Sequence, residues 1–257
     1  MQFTDVALWL MDEIRYQTIS KLPDVPKDSL LRQYCYLCRS FLDKPTDEHV
    51  IPRVIFRLYI ESKDVATSTL LKLWACADCN SKKGSNEESV TRDLQVTSTT
   101  PSARRGFDRL VKSASENGPA KHLLRKISDR FQMREVSTSL GKPLGVKPVI
   151  SMRDENLLEA YFVNIAKGLF VRNTLTLYDW NDYEVFFATE QLVTSRIYFD
   201  LPITVALREN AHFGECWEET FAYKGRADEE GSSWSILSFA SYHTIVVFRK
   251  KIGSILP

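Results

Sequence analysis

Four of the chain's five cysteines fall in two pairs, Cys35-Tyr-Leu-Cys38 and Cys76-Ala-Asp-Cys79. No other feature restricts the fold as tightly. A Cys-x2-Cys pair turns two thiolates onto one ion from a tight knuckle, and two such knuckles supply the tetrahedral four-sulfur shell that zinc takes. A single pair would suit a thioredoxin-like redox site, whereas two pairs favour a metal. The alternatives are disulfides and buried thiols; disulfides need an oxidising compartment that nothing else in the sequence implies. Cys35, Cys38, Cys76 and Cys79 are therefore read as the ligands of one structural Zn2+. The stretch from Cys38 to Cys76 is longer than a simple zinc ribbon needs, so something further is built inside it.

Inside that stretch lies Asp47-Glu48-His49-Val50-Ile51-Pro52. The second pair runs directly into Asn80-Ser-Lys-Lys-Gly84, and Glu88 follows. In order and spacing these pieces resemble the HNH endonuclease family, also called the His-Me finger or ββα-metal fold. The branch they resemble carries Cys-x2-Cys zinc knuckles and a Glu-His-Val-Ile-Pro signature, with Asn directly after the last Cys. The resemblance covers about a fifth of the chain. It departs from the family pattern in one place: many members carry an Asn shortly before the second Cys pair, where this chain reads Leu70-Leu-Lys-Leu-Trp-Ala75.

The resemblance implies a metal-dependent endonuclease with a one-metal mechanism. His49 is the general base, Glu48 and Glu88 hold a catalytic Mg2+ or Mn2+, and Asn80 orients the histidine or holds its loop. The residue chemistry suits these roles. An imidazole of ordinary pKa about 6.5 accepts a proton near neutrality. A carboxylate is a hard oxygen ligand for such an ion, which polarises a phosphate and stabilises its leaving oxygen. Arg53, Arg57, Lys82, Lys83, Arg104 and Arg105 are candidate phosphate contacts. Other readings stay open. His49 suits a packed core position as well. Ser85-Asn-Glu-Glu88 is also a capping-box pattern, which predicts a helix from about 86 to 95 with Glu88 as its cap. The alternative for the whole stretch is a zinc-knuckle module that holds nucleic acid without cutting it.

Charge points to the same partner. The net charge is +1, but Arg104 to Arg134 carries nine Lys/Arg against three Asp/Glu, and Asp154 to Glu230 six against fifteen. A polyanion is drawn to the first block and repelled by the second, although a basic run is also what a solvated helix face looks like. The expected partner is nucleic acid, double-stranded DNA before RNA. A 44% hydrophobic and 26% charged composition fits a globular protein with a substantial core. No apolar run approaches a membrane span. Val6 to Met11 is flanked by acidic residues and makes a poor signal peptide. The expectation is a cytoplasmic protein with reduced thiols and no membrane partner.

The expected fold class is α+β, in four stretches. Residues 1–30 hold an amphipathic helix over 4–20, capped by Thr4, and a linker at Pro23 and Pro26. Residues 31–97 are the zinc-stabilised ββα-metal nuclease module, with 53–60 as helix or strand. Residues 98–150 form a basic connector of loops, with short helices near 106–114 and 120–130 and a strand over 133–139. Residues 151–257 form an α+β domain in which a long helix packs on an antiparallel sheet. That helix starts after Ser151 with Asp154 in a capping pattern, and apolar residues recur from Leu157 to Phe170 at helical spacing. Strands are expected at 184–189, 196–207 with Pro202 at an edge or bulge, 217–224, 233–240 and 243–250, with a loop over Gly225 to Gly231. This last stretch suits regulation or a protein partner, as in an anti-phage or restriction effector. His122, His212, His243 and Cys216 are read as structural or surface residues.

Overall fold

The computed structural model describes residues 24–60, 71–98, 100–116, 120–137, 142–150, 155–191, 213–217, 220–228, 230–239 and 242–251. The expected helix over 4–20 with its Thr4 cap, the Ser151 to Asp154 cap, His212, and the strand over 196–207 with Pro202 lie outside the described residues.

The first knuckle follows a 3-10 turn, Leu30–Arg32, whose N-cap Ser29 accepts from the Leu31 amide. Strand β1 (Thr46–His49) then pairs antiparallel with β2 (Lys72–Ala75), placing Glu48 opposite Leu73 and His49 opposite Lys72. Successive strand side chains point to opposite faces. Glu48 and Leu73 are accordingly buried, whereas Asp47 and Lys72 are exposed. Between the two strands, Arg53–Ile60 form helix α1, which settles that stretch as helix. After β2, helix α2 runs unbroken from Ala77 to Thr97. Ser85 therefore lies in mid-helix. The expected helix start at 86 and the Glu88 cap are corrected: the amides that a cap at Ser85 would satisfy are already bonded within the helix.

The connector is more ordered than the sequence reading allowed. Helix α3 (Pro101–Ser115) replaces the expected loops around a short helix. Thr100 caps it by accepting from the Ala103 amide, and Pro101 occupies a first-turn position where its missing N–H costs nothing. Helix α4 (Ala120–Ser128) and the hairpin of β3 (Phe131–Ser137) with β4 (Pro143–Ile150) follow. Arg130 grips Asp93 of α2 by donating from Nη1 to Oδ2 at 2.7 Å and from Nη2 to Oδ1 at 2.5 Å, and so ties the end of this segment to the long helix.

Helix α5 (Glu155–Thr174) buries residues around most of its circumference. A helix apolar on nearly all sides has neighbours on more than one side. On one, Tyr161 Oη lies 3.3 Å from Thr91 Oγ1 of α2. On the other lies a five-stranded antiparallel sheet in the order β5-β9-β8-β7-β6, with Phe162 stacked on Phe187 of β5 and Phe170 against Phe248 of β9. The strands are β5 (Tyr183–Gln191), β6 (Phe213–Trp217), β7 (Phe221–Asp228), β8 (Gly231–Ser238) and β9 (Tyr242–Lys250). The expected run 217–224 is divided between β6 and β7. Gly225 to Gly231 is not a loop: β7 continues to Asp228, which pairs with Gly231 across the turn. The helices and the antiparallel sheet make an α+β protein. Among the described residues no helix is long and apolar enough to cross a membrane.

Candidate metal centre

Pairing of the chain's own elements assembles the four thiols. The Arg39 amide donates to the Cys35 carbonyl at 2.8 Å, closing the first knuckle and holding Arg39 at φ 62°. The Tyr36 amide donates to Trp74 O of β2 at 3.1 Å, which sets that knuckle against the strand leading to the second. Cys76 is the N-cap residue of α2 and Cys79 lies in its first turn. As a result the Sγ atoms of Cys35, Cys38, Cys76 and Cys79 all lie within 4.8 Å of one another. All four are free of disulfides. A tetrahedron with metal–sulfur arms of about 2.3 Å has edges of about 3.8 Å, and Cys38 Sγ lies 3.8 Å from Cys76 Sγ. The donor set fits zinc. Among the described residues it is the one cluster of three or more Cys, His, Asp or Glu ligand atoms. Cys35 is enclosed, and burial pushes its thiol up. Burial opposes ionisation of Cys38 too, but hydrogen bonds from Ser40 and the neighbouring thiols hold it down to about 6.

A second set of polar groups lies under β1. The inward turn of Glu48 takes its carboxylate out of water, and a buried charge needs a partner. Lys83 of α2 supplies one: its Nζ donates to Glu48 Oε1 at 2.5 Å, to the His49 carbonyl at 2.8 Å, and to Glu87 Oε1 one helical turn on. Lys83 is 2% exposed and Glu48 6%. Lys83 therefore lies within the protein rather than on a phosphate-facing surface. Burial pushes the Glu87 carboxyl up to about 7, against the pull of Lys83. Sequence reasoning missed Glu87. The signal that finds it is the i, i+4 spacing from Lys83, readable only once α2 is known to start at Ala77.

His49 is half-buried at the end of β1. Burial first, then the charges of Arg53, Lys72 and Lys83, lower its pKa to about 4, so its imidazole is neutral at pH 7. Asn80 donates from Nδ2 to Thr46 Oγ1 at 3.1 Å, and Thr46 Oγ1 in turn donates to Ala75 O at 2.8 Å. It thus fastens the start of α2 to the start of β1. Glu88 is exposed and interacts with Arg92 one turn on. Glu48 is enclosed with Lys83, whereas Glu88 faces water. Arg53, Arg57, Lys82, Arg104 and Arg105 are all exposed, the first two on α1, Lys82 on α2 and the last two on α3.

A groove of about 1140 Å3 passes beside Cys38, lined by Tyr34, Arg39, Lys167, Asp179 and Trp180 among others. Its cations have partners there, Arg39 with Asp179 at 3.3 Å and Lys167 over the Trp180 ring at 5.0 Å. Of the remaining histidines, His122 is exposed and His243 is enclosed in the sheet. The chain matches no protein-family model, no curated protein and no solved structure.

Proposed function

We propose that the protein is a nucleic-acid-binding module built on a zinc knuckle pair. The supporting observation is that four thiols at zinc spacing join the first knuckle to α2, and that α2 and the helices α1 and α3 packed with it expose Lys82, Arg53, Arg57, Arg104 and Arg105. Cations on fixed helices attract a phosphate backbone and displace its counterions. The acidic C-terminal half faces the same polyanion with the wrong sign, which leaves it to a regulatory or protein-partner role. Double-stranded DNA is the preferred ligand.

Phosphodiester hydrolysis of the HNH type is the second reading, with an anti-phage or restriction effector as its context. It is favoured by the succession of β1, β2 and α2 with His49 at the strand end and Asn80 bracing the helix start. Two features weigh against it. A base held at about 4 takes a proton weakly at neutral pH, and Glu48 is engaged by Lys83.

Fluorescence anisotropy on a labelled duplex at several salt concentrations tests the first reading. Arg104→Glu with Arg105→Glu should weaken binding and flatten its salt dependence, since each lost phosphate contact removes about one unit from the slope; an unchanged slope refutes the assignment. Plasmid incubated with Mg2+, Mn2+ or EDTA separates the readings. The expected outcome is binding without cleavage. Metal-dependent nicking that falls by about 100-fold or more in His49→Ala establishes the hydrolytic reading instead.

A further inference from the structure

The set of oxygens around Lys83 is of the kind a hard divalent ion takes: two carboxylates and a backbone carbonyl. An ammonium has three N–H donors, and Lys83 directs them at Glu48 Oε1, Glu87 Oε1 and His49 O. Its side chain is 1% exposed, and those of Glu48 and Glu87 are 7% and 13%. Two carboxylates therefore share one cation inside the protein.

We propose that Lys83 is the resident cation of this site: its ammonium stands where a divalent ion would, between Glu48 and Glu87, and fixes β1 and the His49 backbone onto α2. Lys83 is on this account a positioning residue, and the carboxylate pair accepts a divalent ion only after the ammonium is removed. The inference is independent of nucleic-acid binding. Its readout is Mn2+ alone, so its failure and that of the binding reading are distinguishable.

The test is a Mn2+ titration of the zinc-loaded full chain, followed by the paramagnetic resonance of the free ion. Wild type should show no site tighter than about 1 mM. Lys83→Met, which keeps the stem and removes the charge, should gain one Mn2+ site at least about tenfold tighter. Adding Glu48→Gln to that variant should abolish the site. No gain in Lys83→Met overturns the proposal. A second measurement covers the case in which Lys83→Met does not fold. The melting temperature of wild type should be indifferent to millimolar Mn2+, and Glu48→Gln should lower it by the same amount with or without the ion. A wild-type melting temperature that climbs with Mn2+ and stops climbing in Glu48→Gln overturns the proposal equally.

Discussion

At the scale of single residues, His243 sets a clear pH dependence. It is fully enclosed, with Nε2 2.6 Å from Ser235 Oγ, and burial, then Lys224, lowers its pKa to about 3. In the unfolded chain it titrates near 6.5. Between those two values the unfolded chain binds the proton and the folded one does not, so the contribution of His243 to stability falls as pH drops from 6.5 toward 3. The slope approaches about 1.4 kcal/mol per pH unit once the unfolded histidine is protonated. Denaturant midpoints of wild type and His243→Gln at pH 7.5 and pH 5 check this. The wild type should lose more stability on acidification than the variant, and equal losses refute it. Sequence reading left His243 as a structural or surface residue and gave it no pKa, because the burial comes from strands paired across the sheet. The four clustered thiols were legible for the opposite reason: each pair is local in sequence. Glu87 was invisible because its role depends on which turn of α2 faces Glu48, a matter of tertiary packing.

At the scale of elements, two glycines mark close approaches. Gly168 of α5 crosses Val50, where a Cβ would come within 2.6 Å of Val50 Cγ1. Gly168→Ala should therefore destabilise the protein by about 1–3 kcal/mol through overpacking, and adding Val50→Ala should recover much of the loss. Thermal melts of the three variants check the cycle; additive losses would show that the two positions do not meet. Gly225 misled the sequence reading in an instructive way. Beside acidic residues it looks like a turn, yet it lies within β7 opposite Trp234, where a Cβ would come within 2.3 Å of Ser233 O and 2.4 Å of the indole. Glycine is there for proximity rather than for a bend. The short-helix expectation for the connector failed differently: Thr100-Pro101 is a legible helix start, but the Ser/Thr-rich stretch around it was read as loop. Helix α5 was legible throughout its core because its apolar periodicity needs no partner to be seen.

At the scale of the molecule, one buried cluster runs from Leu31, Cys35 and Tyr36 through α5 to Phe248. Trp180 seals it across the chain, donating from Nε1 to Tyr36 O at 2.9 Å. The four thiols lie at one edge of that shared core. Freshly purified protein should contain about one zinc per chain. Stripping it with a strong chelator should lower the stability of the whole chain in a single transition, because the metal's binding energy is part of folding. Near-zero zinc in unchelated protein refutes the site, and a sheet that melts unchanged after zinc removal refutes the coupling. The joint core also has a consequence for descent. Val50 belongs to the Glu-His-Val-Ile-Pro segment and Gly168 to the helix beneath the sheet, and neither can gain volume unless the other gives it up. A lineage that exchanged the knuckle segment for a foreign copy would inherit a misfit at residue 168. The two parts of this chain must therefore change together, and substitutions at 50 and 168 should appear in compensating pairs.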